Sequence, residues 1–223
     1  MCGRYSLKVQ ISDLIDEYNI GVVTDLDQVD EITRWNVAPT QLMPVILEHH
    51  GECELRIMRW GLVPGWMKPK NEKIPPGWIN ARSETIAEKP AFRGAYRHRR
   101  CLVPTTGFYE WQTRKAGPKQ SYWVRAKGDG LLTLAGVWEC WSAPDGSQID
   151  TYAILTTSPN GVMRPIHDRM PVVLRHEDYE QWLSKGDRQE LMQPCPDAWM
   201  YDTAVEPTIN NARRDEKPVP TQP

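Results

Sequence analysis

CLVPTTGFYEWQTRKAGPKQSYWVRAKGDGLLTLAGVW, residues 101–138, carries the clearest fold signal in the chain. Three apolar runs, Cys101–Val103, Phe108–Gln112 and Tyr122–Ala126, are followed by a fourth at Leu131–Trp138, and each is short and closed by turn chemistry. The breaks Ala116-Gly117-Pro118 and Gly128-Asp129-Gly130 are too brief for the dozen or more residues that a parallel crossover needs, so antiparallel pairing is expected. Beyond Pro144-Asp145-Gly146 the pattern continues with strands at 151–156 and 172–174. The middle of the chain therefore reads as β-rich, a run of short strands that favours antiparallel pairing.

Outward from this block the signals are shorter. Ile11, Leu14, Ile15 and Tyr18 recur at helical spacing, predicting an amphipathic helix over 11–20 with Gly21 as its stop. Residues 24–35 are acidic and nearly patternless, which predicts a surface loop. Strands are expected at 45–47 and 53–57, with His49-His50-Gly51-Glu52 as their turn, and 61–77 reads as a long loop carrying Trp66, Lys68 and Lys70. Ser83 or Glu84 opens a short helix ending before Pro90, and Phe92 and Tyr96 mark another. Helical segments at 177–183 and 187–192, a strand at 200–205 and a Pro-rich tail complete the chain. The expected architecture is a single α+β domain over 1–223, mostly antiparallel and barrel-like sheet with short flanking helices, and a flexible tail from about 212.

With 223 residues the chain is long enough to bury a core, and its net charge of −2 argues against a broad cationic face for duplex DNA while leaving room for a local one. Five scattered cysteines, with no C-x-x-C pair, predict a reducing compartment and no structural zinc. No segment has the length of a signal peptide or a membrane span, so a soluble, cytoplasmic monomer without cofactor or metal is expected. Ten tryptophans stand against two phenylalanines, and Trp66 and Trp78, in loop sequence, are the candidates for stacking on a base.

The candidate chemistry begins at Met1-Cys2-Gly3-Arg4-Tyr5. If Met1 is removed, Cys2 carries an α-amine, ordinarily of pKa about 7.7–8, next to a thiol of about 8.5. Such a 1,2-aminothiol captures an aldehyde as an imine through nitrogen and closes to a thiazolidine through sulfur. The alternative is a chance cysteine in a frayed terminus. Asn80 and Arg82 follow Gly77-Trp78-Ile79. Glu110, between Tyr109 and Trp111, lies either on the solvent face of a strand or buried with a raised pKa, where it would serve as a proton donor. His167, in Arg164-Pro165-Ile166-His167-Asp168-Arg169-Met170-Pro171, is structural or catalytic; flanking arginines and prolines favour a role towards an anion. The basic run 97–100 is a solvated face or a phosphate site.

Together these motifs resemble the SRAP family (SOS response-associated peptidase), also called abasic-site processing proteins. The resemblance rests on Met1–Tyr5, Asn36-Val37-Ala38-Pro39, Trp60–Trp66, Asn80–Thr85, Gly107–Trp111 and His167–Pro171, in family order, with a weaker match through Asn210-Asn211. It implies covalent cross-linking of Cys2 to abasic sites in single-stranded DNA, and an associated abasic-site lyase activity. The peptidase of the family name is then expected to be limited to removal of Met1. Asn80, Glu110 and His167 are implied as catalytic partners of Cys2. Arg4, Arg82 and Arg169 are implied as phosphate ligands, Pro39 and Trp66 as stacking surface, and Thr156 as a further contact. Replication-fork components are the implied protein partners. Two other classes fit parts of the sequence: an N-terminal-nucleophile cysteine hydrolase, and a non-covalent single-strand-binding module in which Cys2 is inert.

Overall fold

The computed structural model describes residues 2–24, 30–69, 73–128 and 130–221. The chain opens with β1 (Arg4–Gln10), α1 (Ile11–Tyr18), β2 (Ile20–Val23), β3 (Glu31–Val37), β4 (Leu42–His49) and β5 (Glu52–Trp60). After a long loop come β6 (Asn80–Arg82), a turn of 3-10 helix (Ser83–Thr85) and α2 (Arg93–His98). The expected strands follow as β7 (Arg100–Thr105), β8 (Gly107–Gln112), β9 (Gln120–Ala126), β10 (Leu132–Ser142) and β11 (Gln148–Thr157), but only β8–β9 and β10–β11 pair as neighbours; across Gly128-Asp129-Gly130 the chain changes sheets instead of turning back on itself. The chain finishes with β12 (Met170–Pro171), β13 (Val173–Leu174), α3 (Tyr179–Leu183) and β14 (Met200–Val205).

Two sheets form. One has the order β14-β9-β8-β1-β3; the other runs β12-β11-β10-β7-β4-β5-β2. A further pairing of β11 with β5, Thr151 opposite Arg59 and Tyr152 opposite Trp60, closes β11-β10-β7-β4-β5 into a five-stranded barrel. This closing seam is parallel, as are β6 on β11 and β2 on β5. Closure removes exposed edges from the barrel strands and places their alternate side chains in one core. Trp60, Tyr152, Leu134 and Ile154 lie there fully buried.

The helix expected over 11–20 ends at Tyr18. Asn19, not Gly21, is its stop, in the left-handed region at φ 49° with its N–H donated to Ile15 O; asparagine tolerates that conformation better than most residues. His50 and Gly51, at φ 55° and 88°, form the tight turn between β4 and β5. The acidic stretch 24–35 corrects a prediction: Glu31–Val37 is a strand, paired with β1. Its place at a sheet edge lets Glu31 and Thr33 stand in solvent, which hides the alternation. Residues 25–29 lie outside the described residues. The tail from 212, expected to be loose, is tied down: Asp215 accepts from Trp35 and Asn36 N–H at 2.6 and 2.8 Å, and Thr221 N–H reaches Ala204 O at 2.9 Å. No helix among the described residues is long and apolar enough to cross a membrane.

Candidate active site

β8 lies between β1 and β9 and is covered on both faces, and this decides the position of Glu110. Tyr109 packs with Trp123, Val205 and Ile209 on one side; Phe108 enters the main core on the other. Strand alternation puts Glu110 on the Phe108 side, where it is 2 % exposed, so the solvent-facing alternative is excluded. β1 runs antiparallel alongside, Arg4 opposite Tyr109, and this delivers the residues just before β1 to the same place.

Cys2 is fully buried against the main core. Desolvation pushes its thiol well above the ordinary range, and the negative charge of Glu110 pushes the same way. Beneath it the hydroxyls of Tyr5 and Tyr152 are paired at 2.7 Å, both held above their ordinary pKa by burial. Asn80 joins from β6: its Nδ2 donates to the Cys2 carbonyl at 2.9 Å, while its Oδ1 is buried with no hydrogen-bond donor among the described residues. β6 can reach this point because it adds in parallel to β11, Asn80 opposite Ile154.

His167 lies half-buried on the loop before β12. Its Nδ1 is 3.0 Å from the Arg169 backbone N–H and 2.9 Å from Asp168 Oδ1. A neutral ring accepts from the N–H and keeps its proton on Nε2; a charged ring donates to Asp168. Either way the same edge of the ring is held.

The expected phosphate ligands differ in how free they are. Arg82 is exposed. Arg4 uses Nη1 on Asn36 Oδ1 at 2.8 Å and on Ile209 O at 3.0 Å. The fork of Arg169 is taken by the Glu84 carboxylate, with Nη2 to Glu84 Oε2 at 2.8 Å and to Thr156 O at 2.5 Å. Thr156 is fully buried, its hydroxyl directed to Ala81 O, so its side chain offers no surface to a strand in this conformation. In this conformation the residue braces Arg169 through its carbonyl.

Trp66 stands 63 % exposed on the long loop. Its ring lies 6.4 Å from Trp78, which in turn meets Phe92 edge-on at 6.0 Å, making an aromatic shelf. The shelf is anchored at the loop's base, where Leu62 and Trp78 exchange N–H···O bonds of 3.0 Å. Gly61 and Gly77 permit that approach, since a Cβ at Gly77 would sit 2.3 Å from Gly61 O. Pro39 is half-buried in the turn between β3 and β4. The roles of Tyr5, Tyr152 and Glu84 escape sequence reading, because the partners of each are distant in the chain. Among the described residues no group of three or more metal-ligating side chains comes together.

The SOS response associated peptidase (SRAP) family profile matches residues 1–212. The chain belongs to the SRAP family. Among relatives of this SRAP chain, the abasic site processing protein YoqW of Bacillus subtilis is 36 % identical over 96 % of both chains. YoaM of the same organism, also called an abasic site processing protein, is 40 % identical over 96 % of this chain and 95 % of its own. A crystal structure of a protein from Bacteroides thetaiotaomicron matches the SRAP fold with a TM-score of 0.84 at 25 % identity, covering 97 % of each chain.

Proposed function

We propose that this SRAP protein captures abasic sites in single-stranded DNA by a covalent bond from Cys2, once Met1 has been removed. The supporting observation is the convergence of Cys2, Asn80 and Glu110: Cys2 and Glu110 are buried with the Glu110 charge acting on the Cys2 thiol, and the half-buried Asn80 places its amide 2.9 Å from the Cys2 carbonyl. The names of YoqW and YoaM support the same substrate.

In this reading the Cys2 amine attacks C1′ of the ring-opened deoxyribose. Glu110, buried and beside the thiol, passes a proton to the sugar ring oxygen on opening and to the hydroxyl that leaves as water. The imine forms, Sγ adds to its carbon, and the thiol proton passes to nitrogen, so the thiazolidine equals both reactants less one water. Asn80 orients Cys2 through its amide nitrogen, and its unsatisfied Oδ1 accepts from the new amine or from a sugar hydroxyl. His167 serves the sugar hydroxyl through Nε2. While the imine persists, the C2′ proton is acidified and elimination of the 3′ phosphate is open, which is abasic-site lyase chemistry. Ring closure by sulfur ends that path. Removal of Met1 is assigned to the chain itself, and is the extent of its peptidase activity. Arg82 takes a phosphate, Trp66 a flanking base, and Arg4, Pro39 and Arg169 border the same strand.

Mixing the protein with a single strand carrying one abasic site, and with the intact strand, tests this on a denaturing gel. A heat-stable slow band is expected only with the abasic strand and only when Cys2 is present. A band that persists in Cys2→Ala, or none from protein shown by mass to begin at Cys2, overturns the reading.

A further inference from the structure

A groove of about 560 Å³ opens beside His167; none of the expected DNA contacts lines it, and of the expected catalytic residues His167 alone does. Trp111 and Ile166 line it, Lys119 and Arg164 stand along it, and Asp168 lies at the His167 end. Trp111 stands on the face of β8 opposite Glu110, with Tyr109, so His167 is the expected site residue that the groove reaches.

The groove is built from fixed parts. Trp111 donates its indole N–H to Asn210 Oδ1 at 2.6 Å, which sets the orientation of the ring. The hairpin of β8 and β9 is tied to the His167 loop by Gln112 Nε2 to Pro165 O at 2.8 Å. Its two cations are free: Lys119 and Arg164 are exposed, and neither makes an ion pair or a side-chain hydrogen bond among the described residues. Arg4 and Arg169, in contrast, are bound to groups of the protein itself. The one anion here, Asp168, is 2.9 Å from His167 Nδ1. An aromatic face flanked by two unpaired cations suits a single-stranded polynucleotide, the ring taking a base or sugar and the cations its phosphates.

We propose that this groove carries the strand onward from the abasic nucleotide on the His167 side, with Lys119 and Arg164 as its phosphate ligands and Trp111 as its stacking surface. The proposal rests on the reading of single-stranded DNA as substrate, and assigns that site a second arm besides the Trp66 shelf.

The test uses strands with a central tetrahydrofuran abasic analogue, which has no aldehyde, so that binding is measured apart from chemistry. Each strand is trimmed to the lesion on its 5′ or its 3′ side, and affinity is read by fluorescence anisotropy over a salt series. Trimming one side is expected to cost the wild-type protein roughly tenfold and to lower the salt slope by about 1.4, two single-strand contacts at about 0.7 each. In Lys119→Ala/Arg164→Ala that cost disappears, while the cost of trimming the other side remains. If the double variant keeps the full cost of trimming on both sides, or if the wild type loses nothing on either, the groove does not hold the strand. Cross-linking of an aldehyde-bearing strand by the wild-type protein is scored separately: its failure overturns the chemistry at Cys2, whereas the trimming series alone decides the groove.

Discussion

The pocket around Cys2 and the shelf around Trp66 are opposites in physical character. In the pocket, Cys2 is fully buried, Glu110 is 2 % exposed, and the Tyr5 and Tyr152 hydroxyls are paired at 2.7 Å. On the shelf, Trp66 is 63 % exposed, on a loop secured at its base by the Leu62–Trp78 bonds and next to Trp66 by the Trp141 indole N–H donated to Met67 O at 2.7 Å. Groups that exchange protons and form bonds gain from exclusion of water, where their electrostatic effects are strong and their geometry fixed. A stacking face must be open to receive a base. On the proposed function, covalent work and recognition fall to these two regions, and variants in them should fail in different ways.

The sharpest break is expected from Cys2→Ser, which keeps the amine and removes the sulfur. Any adduct should then stop at the imine, visible on a gel only after borohydride reduction; a heat-stable adduct without reductant would show that sulfur is not the closing atom. Next in size, Glu110→Gln should slow adduct formation by about 10²- to 10⁴-fold, as loss of an acid-base group does, with affinity for the analogue strand nearly unchanged. A loss of affinity with the rate intact would move Glu110 out of the chemistry.

The pH dependence belongs to the pocket as well. Burial raises the Cys2 thiol, so near neutrality it is protonated, and its thiolate fraction grows about tenfold per pH unit until that raised value is reached. Conversion of borohydride-trappable adduct to heat-stable adduct should therefore accelerate from pH 7 to 9 without levelling. A plateau near pH 7 would mean that the thiol is not held in its neutral form. The smallest effect is expected on the shelf: Trp66→Ala should weaken strand binding by about 1–3 kcal/mol and leave the rate at saturating DNA unchanged.

The same division explains what the sequence discloses. β7 to β11 are legible because each is an apolar run closed by turn residues, and strands packed against the core keep that signature in the barrel (β7, β10, β11) and in the other sheet (β8, β9) alike. β3 is not, since an edge strand can carry Glu31 and Thr33 in solvent. β6 is only Asn80–Arg82, too short for any period, and its parallel register on β11 is a long-range event. Yet that register is what brings Asn80 to Cys2 across seventy-eight positions. Residue types with marked chemistry, Cys2, Asn80, Glu110 and His167, could be picked out one by one and by their resemblance to the family's motifs. Their mutual distances could not, nor could the capture of Arg169 by Glu84, because both depend on how strands far apart in the chain pair.

The central claim is that the residue exposed by loss of Met1 forms the bond to DNA through both nitrogen and sulfur. Intact mass spectrometry of the protein after incubation with an abasic single strand, without reductant and after heating, tests it most directly. The account predicts a species equal to the chain from Cys2 plus the oligonucleotide less one water, with the linkage mapping to the N-terminal peptide. A heat-labile adduct, or one attached to any other residue, would contradict it.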